Sequence, residues 1–346
     1  MTDPAVLDRA LMSGALGWEG VRGEWVLLCV PSLVPTYVER IQRLAQGFGH
    51  PFTAAEIPRL QAMLQSKIQA GCEASPYSRV VVRYGTMSPP NRGLAWKMET
   101  VVVSPQDQAA RFVAAHPPQE FEAHPDAMVM ATAAAMGQGR SLNVLDIGGG
   151  TGRNGLALAA VGHQVTVLDS NGVMLQALDE RLAQVSAPSQ VTVVEGSVLD
   201  ERILLPTDRF DLVILTGVVP YFSSLAELQR LFGRVAATVR AGGQVLLDAF
   251  VTTDGYEPTQ LALEMGRISD AIMVPPSVLE RAIAGTGLTL VAEEDAWDYE
   301  MTHLSSDAKQ ARQWLESWAL AKRIFALPPG QRPPVALKWL RYAKGA

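Results

Sequence analysis

The stretch VLDIGGGTGRNGLALAAVGHQVTVLD, from Val144 to Asp169, holds five glycines within eight residues, with an aspartate on either side of them. Apart from Asp146, Val144 to Ile147 are apolar, as in a strand that helices cover on both faces. From Arg153 the apolar spacing becomes helical, and a second strand-like run, HQVTVLD, ends at Asp169. Strand, glycine loop, helix and strand make one βαβ unit. Glycine lets a backbone take φ > 0 and approach a ligand closely. The helix that follows presents unpaired N–H groups and the positive end of its dipole. Two readings of the loop compete. Gly150-Thr151-Gly152-Arg153-Asn154-Gly155 satisfies G-x-G-x-x-G, and Asp169 stands about 20 residues on, where a dinucleotide site wants a ribose-binding acid. Counted from the strand, however, the pattern is Asp146-x-Gly148-x-Gly150-x-Gly152. A carboxylate at the strand end repels a diphosphate and attracts a cationic amine, which favours the second register.

Outward from this unit, strands and helices alternate from Leu142: LNVLDI, a helix from Arg153, HQVTVLD, a helix from Val173, QVTVVEG, FDLVILTG, a helix from Ser224 and GGQVLLDAF. This predicts a doubly wound α/β fold, with a mostly parallel sheet and helices on both faces. The chain changes character near residue 120, so the expected division is an N-terminal α+β domain over 1–120 and the alternating domain over 121–346. In the first part, residues 3–13, PTYVERIQRLAQGFG and TAAEIPRLQAMLQSKIQAG are helical in pattern. Thr53 and Glu56 form a capping signal for the last of these. GEWVLLCVPS reads as a strand, and YSRVVVRYGTM and GLAWKMETVVV, joined by SPPNRG, read as a hairpin.

With these residues in place, the chain resembles the class I S-adenosylmethionine-dependent methyltransferases, whose first motif runs acid-x-Gly-x-Gly-x-Gly. The resemblance spans roughly residues 121–300, with motifs in the family's order; SVLERAIAGTGLTLVAEEDAW looks like the family's last helix and sixth strand and PVALKWLRYAKGA like its antiparallel seventh, which implies a mostly parallel seven-stranded sheet. It implies a role for each matching position. Asp146 orients the cofactor's amino group, often through water, and Gly148, Gly149, Gly150 and Gly152 pack on its methionyl part. Asp169, with Ser170 beside it, takes the ribose hydroxyls, since one ionised acid accepts from both O–H donors. Ser197 and Val198 lie where the family contacts adenine. The family places an Asp where Ser197 stands, and Asp200 is the nearby substitute. Thr216 and Gly217, at the open end of FDLVILTG, lie near the methyl donor. S-adenosylhomocysteine is then the product.

On the acceptor side, Tyr221 follows this fourth strand; its plain alternative is packing on the adjoining loop. His303 is the candidate base, since imidazole is the side chain suited to proton transfer near neutral pH and this one lies in a segment expected to cross the open edge of the site. His124, in the segment that forms an N-terminal lid in the family, is the second candidate. His163 sits in a helix-to-strand turn and reads as structural. Tyr256 and Met265 lie in an insertion expected to cover the pocket, and Tyr299 and Glu300 come from the segment of His303. The pair Trp314 and Trp318, four apart, reads as core or interface. The Asx-Pro-Pro-aromatic motif of many base and protein amino-methyltransferases is missing from TGVVPYF.

Composition narrows the partners. A net charge of −6 over 346 residues argues against a nucleic-acid surface, which needs a basic face. No apolar run reaches 18 residues, and MTDPAVLDRA is no signal peptide, so no membrane span and a cytoplasmic location are expected. Cys29 and Cys72, the two cysteines, have no CxxC neighbour and read as reduced thiols. No His, Cys and acid cluster has metal-ligand spacing, so no metal is assigned. The expected activity is methyl transfer to oxygen or nitrogen of a small organic acceptor. Three alternatives stand beside it: a methyltransferase of a peptide or protein docked through residues 1–120, a non-catalytic cofactor-binding protein, and a nicotinamide-dependent oxidoreductase. Residues 1–120 otherwise serve to prop a lid or to pair subunits in a homodimer.

Overall fold

Three strands pair antiparallel in chain order within the first of two compact units, Met1–Ser104: β1 (Arg22–Leu28), β2 (Arg79–Thr86) and β3 (Leu94–Val101). The computed structural model describes residues 4–8, 11, 22–87, 93–115, 123–184, 188–253, 255–328 and 330–345. Helices α1 (Val34–Gly47) and α2 (Glu56–Ala74) cover one face of this small sheet. There Ile41, Leu64 and Ile68 are wholly buried with Val80 and Val82. Of the capping signal, the acid half is made: Glu56 Oε2 accepts from the Thr53 N–H and hydroxyl, both at 2.8 Å. Residues 4–8 and 11 are helical; the remainder of the helix expected over 3–13, and most of the SPPNRG turn, lie outside the described residues.

The second unit, Pro105–Ala346, contains α3 (Pro105–Ala115), α4 (Ala127–Gly137), β4 (Asn143–Ile147), α5 (Arg153–Ala160), β5 (Gln164–Asp169), α6 (Gly172–Leu182), β6 (Val191–Glu195) and β7 (Phe210–Leu215). It continues with α7 (Leu225–Thr238), β8 (Val239–Thr252), α8 (Gln260–Ile268), β9 (Met273–Val274), α9 (Pro276–Ile283) and β10 (Leu288–Asp295). Three short helices, α10 (Ala296–His303), α11 (Ser306–Ala311) and α12 (Trp314–Ala319), lead to β11 (Val335–Lys344). The strands lie side by side as β10-β11-β8-β7-β4-β5-β6, and β11 alone on this path runs antiparallel to its neighbours. The expected doubly wound sheet is present. An eighth strand joins the seven, because β8 runs on past its last partner in β7, Leu247↔Leu215. Phe250 and Val251 would leave backbone groups unpaired there, and β9 takes them up as Phe250↔Met273 and Val251↔Val274. Helix α3 belongs to this unit and packs on α6.

The two faces of the sheet carry separate cores. On one, Val129, Leu158, Val165, Leu178, Leu212, Phe250, Leu315 and Trp339 pack together; on the other, Leu145, Val213, Leu231, Phe232, Val235, Leu279 and Tyr342. Local signals set the helix starts. Ser224 Oγ accepts from the Glu227 N–H while Glu227 Oε2 accepts from the Ser224 N–H, a complete capping box on α7. Ser305 caps α11 through the Ala308 N–H. Trp318 packs edge-on to Phe250, 5.2 Å between centroids, and donates Nε1–H to Asp270 O at 2.9 Å. After β6 the chain returns to β7 on the other side of β4. That reversal opens a crevice at the carboxyl ends of β4 and β7, where open α/β sheets hold ligands.

Candidate functional site

The glycine loop lies at this crevice. Gly148, Gly150 and Gly152 all have left-handed φ, +68°, +53° and +87°. At two of them space as well as φ demands glycine: a Cβ on Gly148 would stand 2.4 Å from Val218 Cγ2, and one on Gly152 2.5 Å from Leu178 Cδ1. Gly150, by contrast, opens outward, with nothing nearer its Cβ position than Gly148 O at 4.0 Å. Asp169, at the end of β5, ties the loop down. Its Oδ2 accepts from the Gly150 N–H at 2.9 Å and its Oδ1 from the Asn171 N–H at 2.8 Å. Burial raises the Asp169 pKa, and these N–H groups, with that of Ser170, oppose the rise. Ser170 itself is exposed.

Asp146 is 2% exposed at the end of β4, on the face of Val144. The Gly155 N–H donates to its carboxyl, but Oδ1 is buried with no partner among the described residues. Burial pushes this acid up to about 7; Arg153 pulls it down, and Asp169 and Asp126 push it further up. An orphaned carboxylate oxygen inside a glycine cradle is costly in the absence of a donor. A ligand ammonium, directly or through one water, would satisfy it.

Beside the loop a buried ionic network ties together four distant parts of the unit. Asp126, just ahead of α4, accepts from Arg153 Nη1 and Arg312 Nη2, both at 2.6 Å, and from Asn154 Nδ2 at 2.8 Å. Its own N–H donates to Asn154 Oδ1 at 2.9 Å. Burial alone would raise the Asp126 pKa, but the two guanidiniums and the amide more than offset it and hold it at about 2. The first N–H groups of α4, on Ala127 and Met128, donate to Glu300 Oε2 and Oε1 at 2.9 and 3.1 Å. A residue of α10, 173 positions away, thus caps a helix that has no cap of its own. Arg312 Nη1 closes the ring on Glu300 Oε2 at 3.2 Å.

Across the crevice, Thr216 Oγ1 accepts from Asn154 Nδ2 at 3.1 Å, and the Gly217 N–H donates to Asp248 Oδ1 at 2.8 Å. Asp248 is 4% exposed on β8, and burial pushes it up to about 7, with the Gly217 N–H opposing. Space around Gly217 is open. Past β6, Ser197 Oγ accepts from the Leu199 N–H at 3.2 Å, and Val198 is buried among apolar side chains. Asp200, the expected substitute, is instead gripped by Arg202 at 2.7–3.2 Å. Tyr221, on the short turn Val219–Tyr221, is 57% exposed.

The histidines divide. His303 is exposed at the end of α10, its ring stacked on Tyr299 at 4.0 Å and its Nδ1 2.9 Å from Tyr299 O; no described hydrogen bond or ring contact joins it to the loop. His124 is half-buried, two residues ahead of Asp126. His163 Nδ1 accepts from the Leu142 N–H at 3.2 Å, a structural use. Tyr256 meets Phe325 edge-on at 6.2 Å. The sequence reading missed Asp126, Arg153, Asn154, Asp248 and Arg312 as members of the site. One signal was available: Asp248 interrupts the apolar run QVLLDAF, and a lone acid in a buried strand demands a partner. Among the described residues no cluster of three or more His, Cys, Asp or Glu could hold a metal ion.

Residues 144–243, which span β4 to the start of β8, match the family model described as a methyltransferase domain. No curated protein matches the chain. Among solved structures, phosphoethanolamine N-methyltransferase 2 of Haemonchus contortus, in complex with S-adenosyl-L-methionine, is similar in fold (16% identity, TM-score 0.51, covering 74% of this chain and 64% of that one). Geranyl diphosphate C-methyltransferase of Streptomyces coelicolor aligns at 15% identity and TM-score 0.44, covering 62% and 79% of the two chains. The cyclase SpnF aligns at 14% and 0.48, covering 71% and 98%.

Proposed function

We propose that this chain, whose residues 144–243 match a methyltransferase domain, takes a methyl group from S-adenosylmethionine and transfers it to an oxygen or nitrogen of a small organic acceptor. The observation that carries the cofactor assignment is the unpartnered Asp146 Oδ1 at the base of the glycine cradle, with Asp169 at its far rim. Those two acids suit a ligand with an ammonium at one end and a hydroxyl pair at the other. In this reading Asp146 takes the amino group, Gly148 to Gly152 the methionyl part, Asp169 and Ser170 the ribose, Ser197 and Val198 the adenine side, and Thr216 and Gly217 the sulfonium.

Bound there, the cofactor supplies an electrophilic methyl carbon on sulfur for in-line displacement. The chain's own work is to position and to exclude water. Asp169 holds the Gly150 N–H and so the shape of the loop. Asp126, through Asn154, holds Thr216 at the mouth of β7. Asp248 fixes Gly217. Tyr221 on its exposed turn and His124 ahead of α4 are the side chains we place along the acceptor's path, and His303 is the remaining candidate base. The acidic net charge supports a small acceptor over a nucleic acid.

Calorimetric titration with S-adenosylmethionine, S-adenosylhomocysteine and NADH tests the cofactor half. Binding of the first two, lost in Asp146→Ala and Asp169→Ala, is expected. Binding of NADH alone, indifferent to Asp146→Ala, would return the loop to the dinucleotide reading. A screen of small alcohols, phenols and amines for transfer of a labelled methyl group tests the acceptor half. Labelling of proteins alone would overturn it.

A further inference from the structure

Beside α4, on the outer strands of the sheet, lies a cavity of about 220 Å³ that the loop chemistry does not use. Its apolar wall is Met128, Ala131 and Ala135 of α4 with Leu246 of β8, and its far side is Trp339 and Arg341 of β11, Ala292 and Glu294 of β10, and Tyr299. Three buried polar atoms of these lining residues have no partner among the described residues: Thr132 Oγ1, Trp339 Nε1 and Arg341 Nε. Thr132 and Trp339 are 2% and 3% exposed, so solvent does not serve them. Among the described residues Arg341 makes no ion pair within 4 Å, and its Nε has no hydrogen-bond partner.

The chemistry of the orphans specifies the occupant. An indole N–H and a guanidinium N–H can only donate, and a hydroxyl can do either. A molecule that satisfies them must therefore present acceptor atoms, and an uncompensated guanidinium calls for negative charge. Glu294, exposed at the rim, disfavours a second negative charge, while Met128, Leu246 and the two alanines suit an apolar body. We propose that this cavity is a second binding site, for a small monocarboxylate with an apolar body, its carboxylate held by Arg341, Trp339 and Thr132. The site is one strand from the crevice: Trp339 sits opposite Asp248 in the β8–β11 register and Glu294 in the β10–β11 register. It also abuts the helix whose first N–H groups are held by Glu300.

The test is calorimetric titration of the full chain, saturated with S-adenosylhomocysteine and also without it, using hexanoate and benzoate as probes and hexanol and benzyl alcohol as neutral counterparts. At least one acid should bind in both settings, about tenfold or more tighter than its alcohol, given the usual worth of a hydrogen bond to a charged group. Arg341→Met should weaken it about tenfold or more. Trp339→Phe, which removes the N–H and keeps a ring, should weaken it severalfold. Should the second variant fail to fold, Thr132→Val serves in its place. If neither acid binds, or the alcohols bind equally well, or Arg341→Met leaves affinity unchanged, the cavity holds only water and the proposal falls. Binding that S-adenosylhomocysteine abolishes would also overturn it, since that places the acid in the glycine-loop site. Because the acid arm without cofactor needs no methyl transfer, its failure is separate from failure of the methyltransferase reading.

Discussion

Asp146→Asn should make the empty protein more stable and its cofactor binding worse. The acid is buried with one oxygen unpartnered and its pKa pushed up to about 7. In the unfolded chain it titrates near ~3.9. Below about pH 4 both states hold the proton and nothing is lost. Between about 4 and about 7 the folded state keeps a proton that the unfolded state has released, so folded stability declines as pH rises through that window. Three pKa units at 1.36 kcal/mol each set a ceiling of about 4 kcal/mol at pH 8; relaxation of the crevice reduces the expected gain to about 1–3 kcal/mol. Asparagine removes the titration and keeps an oxygen for the Gly155 N–H. Urea denaturation at half-unit steps from pH 4 to 8 reads the effect, as a gap between variant and wild type that opens from near zero to its full size by about pH 7. Affinity for S-adenosylhomocysteine should move the other way. It should fall at pH 8 by about 10- to 100-fold, the loss of a charge-assisted contact, and lose the weakening of about tenfold between pH 8 and 6 that a group titrating near 7 imposes on the wild type. A variant less stable than wild type at pH 8, or one that retains the wild-type pH slope of binding, refutes the assignment. Asp248→Asn is the control, since that acid also titrates near 7 and should leave the binding slope in place.

Gly148→Ala meets Val218 Cγ2 at 2.4 Å with φ at +68°, and should destabilise by about 2 kcal/mol and abolish cofactor binding; Gly217→Ala, with a similar φ and open space around it, should cost only about 1 kcal/mol by thermal denaturation. Arg312→Met leaves Glu300 buried without its cation and Asp126 with Arg153 alone, and should cost about 3–5 kcal/mol in urea, with α4 losing hydrogen-exchange protection first at Ala127 and Met128. Because Asp126 is held at about 2, the stability it contributes is complete above about pH 4 and lost as pH falls toward 2; Asp126→Asn should flatten that part of the acid-unfolding curve.

Features governed by local rules were legible in the chain alone. Gly148 and Gly152 must be glycine because φ and space there forbid a side chain, Gly150 because φ does and Gly149 because space does, and the spacing from Asp146 to Asp169 follows from strand, loop, helix and strand lengths. Apolar runs at strand length, caps such as Ser224 with Glu227, and turn residues were legible for the same reason: each depends on neighbours within a few residues. The eighth strand was not, since Met273 and Val274 pair only because β8 outruns β7. Neither was the ionic ring. Arg312 lies 186 residues from Asp126 and Glu300 lies 173 from Ala127, and no periodicity links them. His303 and Glu300 sit three residues apart on one helix, yet only the fold turns Glu300 inward to cap α4 and leaves His303 in solvent. Burial and electrostatic coupling act through space, so the charge states of Asp126, Asp146 and Asp248 were decided only once the sheet had brought distant carboxylates and guanidiniums together.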